Sequence, residues 1–264
     1  MGIQAQLNEL SSLLLQLLFL LFNPVIFIPV TVVILVLIYN IFVLVYKNKQ
    51  YKKGAYYQIT KNPYSSVKYD TGKYGEYLTY KSIRHFENNG GKFLFNIYIP
   101  KGEYKTTEID VLLICSKGLF VFESKNYSGW IFGNETQKDW TQIIYDDKYH
   151  FYNPIMQNAL HIKHLKNLIG ENIPMHSIIV FSDKCTLKNI TIKSNDVSVI
   201  NRYNVASVVA QIYNQTQDEL LTEIEIYDIY NKLYLYTQVS YEAKVQHIEN
   251  SGRAHKLNGA DDGT

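Results

Sequence analysis

Hydrophobic positions are distributed unevenly along the chain. Residues 25–45 contain 17 Val, Ile, Leu or Phe side chains in 21 positions and no charged side chain. At 1.5 Å per residue this run makes a helix of about 32 Å, close to the thickness of a bilayer core. A helix in a soluble core shows a polar face, and this run has none. The pattern predicts a transmembrane helix over about 25–45, within an N-terminal membrane segment at 1–46.

A shorter apolar run at residues 10–22 precedes this span and ends near Asn23-Pro24. Its 13 residues are too few to cross a bilayer comfortably. Three interpretations stay open: the first half of a helical hairpin, an interfacial helix, or an extension of the span. The anchor is therefore expected to be single-pass or a hairpin.

Basic side chains begin where the span ends, and Glu9 is the one charged side chain before that point. All 26 Lys and Arg residues follow residue 46, and four lysines lie at 47, 49, 52 and 53. Basic residues beside a span stay in the cytoplasm, so we expect a cell-membrane protein whose soluble part faces the cytosol. We predict a basic juxtamembrane linker at 47–71, a soluble domain at 72–237 and a polar, disordered tail at 238–264.

Periodicity in the soluble part predicts an α/β fold. Helical spacing marks 73–87, 154–168, 205–213 and 218–236, and strand-like runs lie at 93–99, 108–115, 118–125, 128–132, 140–145, 176–181 and 197–200. Helices that alternate with strands in this order indicate a mixed central β-sheet flanked by helices.

Composition excludes several classes of protein. Two Cys residues cannot make a disulfide-stapled fold or a Cys-based zinc finger. The 26 basic and 24 acidic side chains nearly balance, so bulk charge gives no argument for nucleic-acid binding. No phosphate-binding GxxxxGK[ST] motif is present, so the sequence carries no ATP motor of that type.

Charged residues that could take part in catalysis lie at the same end of two neighbouring apolar runs. Asp110 is on the first run, and Glu123 and Lys125 are on the second. A two-residue turn at 116–117 would place Asp110 directly opposite Glu123, with Cβ atoms about 5 Å apart. Gly118 also suits a three-residue loop with a bulge, which would turn Asp110 to the other face. Both registers remain open from the sequence.

Two carboxylates this close repel each other unless a cation lies between them. Oxygen ligands suit Mg²⁺ or Mn²⁺, and a nearby lysine can stabilise charge on a phosphate. The set is therefore suited to phosphodiester hydrolysis. The alternative is an ion pair at the edge of the core, Glu123 with Lys125 or Asp110 with Lys117. His161 and His164 lack a third ligand, and we interpret them as a surface or packing pair.

Flanking motifs carry a resemblance to a known family. They are Gly72-x-x-Gly75-Glu76, Glu108-Ile109-Asp110, Gly118-Leu119-Phe120-Val121-Phe122-Glu123-x-Lys125-Asn126, Gly129-x-Ile131-x-Gly133, Trp140 and Asn153-Pro154-x-x-Gln157. Over residues 72–170 this order resembles the nuclease-related domain (NERD) family, which is grouped with the PD-(D/E)xK nucleases. The resemblance implies a restriction-endonuclease-like fold.

The resemblance also implies roles for five residues. Asp110 and Glu123 would be metal ligands for Mg²⁺ or Mn²⁺, and Lys125 the catalytic lysine. Glu76 would assist the metal or a water, and Gln157 would contact the metal-bound water or the phosphate. Ile109 replaces the Pro of the superfamily's name, at a position that is not a ligand.

Together these features predict a membrane-anchored, cytosol-facing, divalent-metal-dependent nuclease. Its partner would be nucleic acid, with DNA favoured over RNA, and incoming foreign DNA is a candidate substrate. The alternative is a non-catalytic module of the same fold that binds nucleic acid or a protein at the membrane.

Overall fold

A computed structural model describes residues 2–21, 23–102 and 106–239. The tail expected at 238–264 lies, from residue 240 onward, outside the described residues. The chain divides into two compact units, residues 1–52 and residues 53–264, and each is considered by itself.

The first unit is helical. Helix α1 spans Gly2–Leu21 and helix α2 spans Pro24–Lys53. Within α2, Phe27–Lys53 is long and apolar enough to cross a membrane, and its most apolar stretch is not buried by the protein. Two polar side chains in its apolar part bond within the helix: Thr31 Oγ1 donates to the Phe27 carbonyl and Asn40 Nδ2 to the Val36 carbonyl, both over 2.8 Å. This leaves an almost uninterrupted apolar surface, as a lipid environment requires.

The segment expected to be a linker forms two short helices. They are α3, Ala55–Thr60, and α4, Tyr64–Tyr69. Tyr56, Ile59 and Val67 are buried, so this segment is packed into the second unit. Six-residue helices are too short to show helical periodicity in a sequence, which explains why the pattern predicted a linker.

Helix α5 spans Thr71–Ile83 and begins where Asp70 Oδ1 accepts the backbone N–H of Lys73 over 3.1 Å. A 3₁₀ turn at Arg84–Asn89 follows it, and Gly90, with φ of 80°, closes that turn. The helix predicted at 73–87 is thus confirmed, with a tighter last turn. Glu76 lies in the second turn of α5, on a buried face of the helix.

A five-stranded mixed sheet forms the core of the second unit. Its strands are β1 (Lys92–Pro100), β2 (Thr106–Cys115), β3 (Gly118–Lys125), β7 (Met175–Phe181) and β9 (Val197–Asn201), in the order β1-β2-β3-β7-β9. The first three strands are antiparallel, and β3, β7 and β9 are parallel. The predicted α/β class, with a mixed sheet flanked by helices, is confirmed.

The β2–β3 hairpin has the two-residue turn. Cys115 pairs with Gly118, and Val111 pairs with Phe122 in the same register. Gly118 has φ of 106°, and a Cβ on it would lie 2.6 Å from the Pro174 carbonyl oxygen. The glycine is therefore needed for a close backbone contact, and the bulged alternative for this hairpin is excluded.

A second sheet was not expected. It contains β4 (Gly129–Asn134), β5 (Asp139–Ile144), β6 (Asp147–Tyr152) and β8 (Cys185–Thr191), in the order β6-β5-β4-β8. Gly133 lies against the buried Trp140, whose ring a Cβ on residue 133 would overlap. Trp140 stacks in parallel on Phe181 at 6.1 Å, and this contact joins the two sheets in one core.

Three further helices complete the second unit: α6 (Pro154–Ile169), α7 (Val205–Gln215) and α8 (Glu223–Tyr234). All three agree with the helical periodicity of the sequence. Helix α8 begins with a capping box between Thr222 and Glu225, which satisfies two of its free N–H groups.

Candidate active site

The polar ends of β2 and β3 meet helix α6 at one place. The hairpin register, continued by one residue beyond Val111–Phe122, brings Asp110 opposite Glu123. The Ser124 backbone N–H donates to Asp110 Oδ2 over 2.8 Å. The ladder therefore ends in a side-chain contact that holds the Asp110 carboxylate beside the end of β3.

Glu123 is the most buried of the charged side chains here, with 2 % of its surface exposed. Its Oε1 lies 2.6 Å from Lys125 Nζ, and its Oε2 lies 3.1 Å from His161 Nε2. Burial by itself raises the pKa of this carboxyl, but Lys125 and His161 outweigh burial and lower the pKa below its usual value. Glu123 is consequently an anion at neutral pH.

Lys125 bridges the hairpin and helix α6, because its Nζ donates to Gln157 Oε1 over 3.0 Å. Burial works to lower the pKa of the ammonium, while the carboxylates of Glu123 and Asp110 raise it, and the net shift is upward. The lysine therefore keeps its proton at neutral pH, and 16 % of its side chain remains exposed.

Gln157 is positioned by the start of α6. Asn153 caps this helix, and its Oδ1 accepts the backbone N–H of Ile155 over 2.9 Å. The Asn153 amide also donates to three carbonyls at the end of β4 and in the loop that follows it, those of Asn134, Glu135 and Gln137. Pro154 occupies the first turn, where a missing N–H costs nothing. The buried residues Asn153 and Pro154 thus fix the first turn of α6 at the site.

The pKa of Asp110 is shifted in the opposite direction to that of Glu123. Burial raises the pKa of its carboxyl well above the usual value, and the carboxylates of Glu123 and Glu76 raise it further. The positive charge of Lys125 is enough to keep Glu123 ionised but not enough to offset the burial of Asp110. A cation between the two carboxyl groups would favour ionisation of both.

Glu76 completes the acidic set from helix α5. It is 9 % exposed, and its Oε2 accepts hydrogen bonds from Asn96 Nδ2 over 3.0 Å and from the Tyr56 hydroxyl over 3.1 Å. Burial is the main cause that raises the pKa of Glu76 to about 7, and the Glu108 carboxylate adds to it. Close to neutral pH this group can either accept or donate a proton.

The raised pKa of Glu76 predicts a pH-dependent stability in the absence of metal. Between the ordinary pKa of 4.5 and about 7 the unfolded chain ionises while the folded chain retains the proton. The free energy of unfolding attributable to Glu76 should therefore fall as pH rises through this window. Urea unfolding in EDTA from pH 4.5 to 8 measures the total fall, and Glu76→Gln should make it smaller, leaving the part that comes from the raised pKa of Asp110. An unchanged pH dependence in the variant would contradict the assignment.

His161 belongs to the site, contrary to the interpretation of the histidines as a surface or packing pair. It is buried, and besides its contact with Glu123 its Nδ1 lies 2.6 Å from Thr107 Oγ1. His164 is not brought to Glu123. A signal was available in the sequence, since Gln157 and His161 are four residues apart and share one face of a helix.

Two further contacts were missed in the sequence. Asn96 is a single polar residue inside the apolar run of β1, and that interruption was its only signal. Tyr56 lies before the predicted domain, in the segment expected to be a linker, so nothing in the pattern connected it with Glu76.

Two carboxylates, Asp110 and Glu123, are the side chains here that could bind a divalent metal ion. Among the residues that the structure describes, no three His, Cys, Asp or Glu side chains are arranged to hold a metal ion. The pair Asp110 and Glu123 nevertheless fits Mg²⁺ or Mn²⁺, because Mg²⁺ commonly uses one or two carboxylates and completes its shell with waters and substrate phosphates. Within the described part of the chain, Asp110 Oδ1 accepts no hydrogen bond and is free for a ligand.

Comparison with known proteins identifies the family of the chain. A family model of the nuclease-related domain matches residues 71–182, which include all five residues proposed for the site. An uncharacterized protein of Bacillus anthracis is 33% identical over 178 residues, which are 67% of this chain and 82% of that protein. No solved structure shows a significant match to the chain. The chain belongs to the nuclease-related domain family, within the PD-(D/E)xK-like nuclease superfamily.

Proposed function

We propose that the protein is a membrane-anchored, cytosol-facing, divalent-metal-dependent nuclease that hydrolyses phosphodiester bonds. Family membership supports a nuclease-related function. One observation carries the finer proposal: Lys125 lies 2.6 Å from Glu123 and 3.0 Å from Gln157, at the end of the hairpin that also bears Asp110.

Each side chain has a role that follows from its charge and position. Asp110 and Glu123 would hold Mg²⁺ or Mn²⁺, which when bound lowers the pKa of a water and neutralises phosphate charge. The protonated Lys125 stabilises negative charge that develops on a phosphate oxygen. Gln157 orients the lysine through Oε1, and its amide N–H groups are donors for a water or a phosphate oxygen.

Glu76 supplies proton transfer. A general acid or base works best when its pKa is near the working pH, and the pKa of Glu76 is raised to about 7. The Glu76 carboxylate is one of the charges that raise the pKa of Asp110, which supports a role for Glu76 near the proposed ligands. His161, through its contact with Glu123, orients that carboxylate rather than contacting substrate.

DNA cleavage by the full-length chain in detergent tests the proposal. Supercoiled plasmid, single-stranded DNA and RNA are offered with Mg²⁺ or Mn²⁺ and, in parallel, with EDTA. We expect metal-dependent cleavage of DNA in preference to RNA, and none in EDTA. Binding without cleavage under all these conditions would contradict a nuclease.

The membrane proposal rests on helix α2 and the lysines that follow its apolar part. We propose a single-pass cell-membrane anchor with the second unit in the cytoplasm, where it would meet DNA entering the cell. Plasmid transformation of cells that carry either the full chain or a chain without residues 1–46 tests this role. Restriction of incoming DNA should weaken when the anchor is removed, and equal restriction would remove the proposal.

A non-catalytic binding module is the second candidate function. The observation in its favour is that Lys125 is engaged in a buried ion pair with Glu123, as a purely structural lysine would be. This alternative predicts that Lys125→Ala leaves function intact. The exposed part of Lys125 and its contact with Gln157 favour the nuclease instead.

A further inference from the structure

The backbone of β1 is distorted at one residue beside the site. Asn96 has φ of 49°, in the left-handed region that residues other than glycine rarely adopt. On either side, Phe95 pairs with Val111 and Ile97 pairs with Ile109, in one unchanged register. No extra residue is inserted, so the distortion is not a β-bulge. Only the pair between Asn96 and Asp110 is missing from this stretch of the ladder.

The distortion coincides with a specific side-chain contact. Asn96 Nδ2 donates to Glu76 Oε2 over 3.0 Å, and the Tyr56 hydroxyl donates to the same oxygen over 3.1 Å. Tyr56 is fully buried, and its ring meets that of Phe95 edge to face at 4.8 Å. Donors from two separate elements, β1 and α3, therefore converge on one carboxylate oxygen.

Unfavourable backbone conformations persist where the surrounding structure enforces them, and they are concentrated at functional sites. Glycine would adopt this φ without cost but has no side-chain amide that could donate a hydrogen bond to Glu76. The presence of asparagine, the residue other than glycine that best tolerates this conformation, indicates that the amide is what the position requires.

We infer that Asn96 is a positioning residue that fixes the Glu76 carboxylate toward Asp110, with Tyr56 as a second donor from outside the segment matched by the family model. This inference rests on the proposed nuclease function. It makes the helix that directly follows the membrane anchor a part of the site's support, because Tyr56 is in α3.

Asn96→Ala and Asn96→Gly in the full-length chain separate this role from a structural one. Both changes remove the amide, but only glycine relaxes the backbone. We expect both variants to lose cleavage equally, by about tenfold or more. Thermal unfolding of Asn96→Gly should occur about 2–4 °C above that of Asn96→Ala. Tyr56→Phe, which retains the buried ring, should lose less activity than either.

Tyr145→Gly is the matched control, because Tyr145 has φ of 55°, is 95% exposed and lies in the β5–β6 turn. It should unfold at a higher temperature and cleave normally. Cleavage that follows stability, with Asn96→Gly more active than Asn96→Ala, would overturn the inference, as would equal loss in Tyr145→Gly.

A separate measurement applies if the unmodified protein does not cleave, which would contradict the proposed function itself. Unfolding of Asn96→Ala, Glu76→Gln and the double variant then gives the coupling between the two side chains. Non-additive effects support the positioning contact, and additive effects overturn it.

Discussion

Replacing Lys125 with alanine is expected to lower the rate of DNA cleavage by about 10²–10³-fold, the usual loss when one preorganised charge-stabilising donor is removed. The ammonium is held between Glu123 and Gln157, at 2.6 and 3.0 Å, so its positive charge has a fixed position at the site. Single-turnover cleavage with saturating Mg²⁺ measures the effect on the chemical step alone. Binding of DNA should change little, since one phosphate contact is a small part of the total.

Lys232→Ala provides the control for the loss of one positive charge. Lys232 is exposed on helix α8, outside the segment that the family model matches. Its removal should leave the single-turnover rate unchanged. Cleavage that survives in Lys125→Ala at the rate of the Lys232 control would support the binding module and contradict the proposed role of Lys125.

The largest expected effect on stability comes from Glu123→Ala. This change leaves Lys125 without its carboxylate partner and removes the acceptor of His161, both in a poorly hydrated site. Breaking a buried ion pair by removing one partner costs about 3–5 kcal/mol of unfolding free energy. Urea unfolding followed by tryptophan fluorescence measures it, because both tryptophans, Trp130 and Trp140, lie in the second unit.

A double variant distinguishes a functional pair from a structural one. Apolar side chains of similar volume often replace a buried ion pair at little cost, so Glu123→Leu with Lys125→Met should recover most of the stability lost in Glu123→Ala. The same double variant should be unable to cleave DNA. If it remained as unstable as Glu123→Ala, the pair would be required for folding, and the case for a catalytic role would weaken.

Much of the fold followed from local patterns in the sequence. The sequence narrowed the β2–β3 hairpin to two registers, because each possible turn fixes the pairing of every residue beyond it. The structure has the two-residue turn, in which Cys115 pairs with Gly118. Helix α6 was evident from Pro154 at its start and Gly170 after its end. These features depend on neighbours in sequence, so a local pattern predicts the helix and limits the hairpin to a choice between two turns.

The missed features depend on contacts between distant segments. Strands β6 and β8 are largely exposed and carry polar side chains, so no alternating pattern marks them. The contact between Tyr56 and Glu76 joins residues 20 positions apart through α3, whose six residues show no periodicity. The left-handed backbone of Asn96 follows from its tertiary surroundings, which a linear pattern does not contain.

The dependence of the DNA cleavage rate on Mn²⁺ concentration tests the central claim most directly, with the full-length chain, Asp110→Asn and Lys125→Ala measured side by side. We expect saturable cleavage that EDTA abolishes in the unmodified chain. Asp110→Asn should require a higher Mn²⁺ concentration for half of its maximal rate, because one carboxylate ligand is lost. Lys125→Ala should have a lower maximal rate without a rise in the half-saturating concentration, because removing a cation from Glu123 does not weaken metal binding. Cleavage without metal, or the same half-saturating concentration in Asp110→Asn, would contradict a metal site at Asp110 and Glu123.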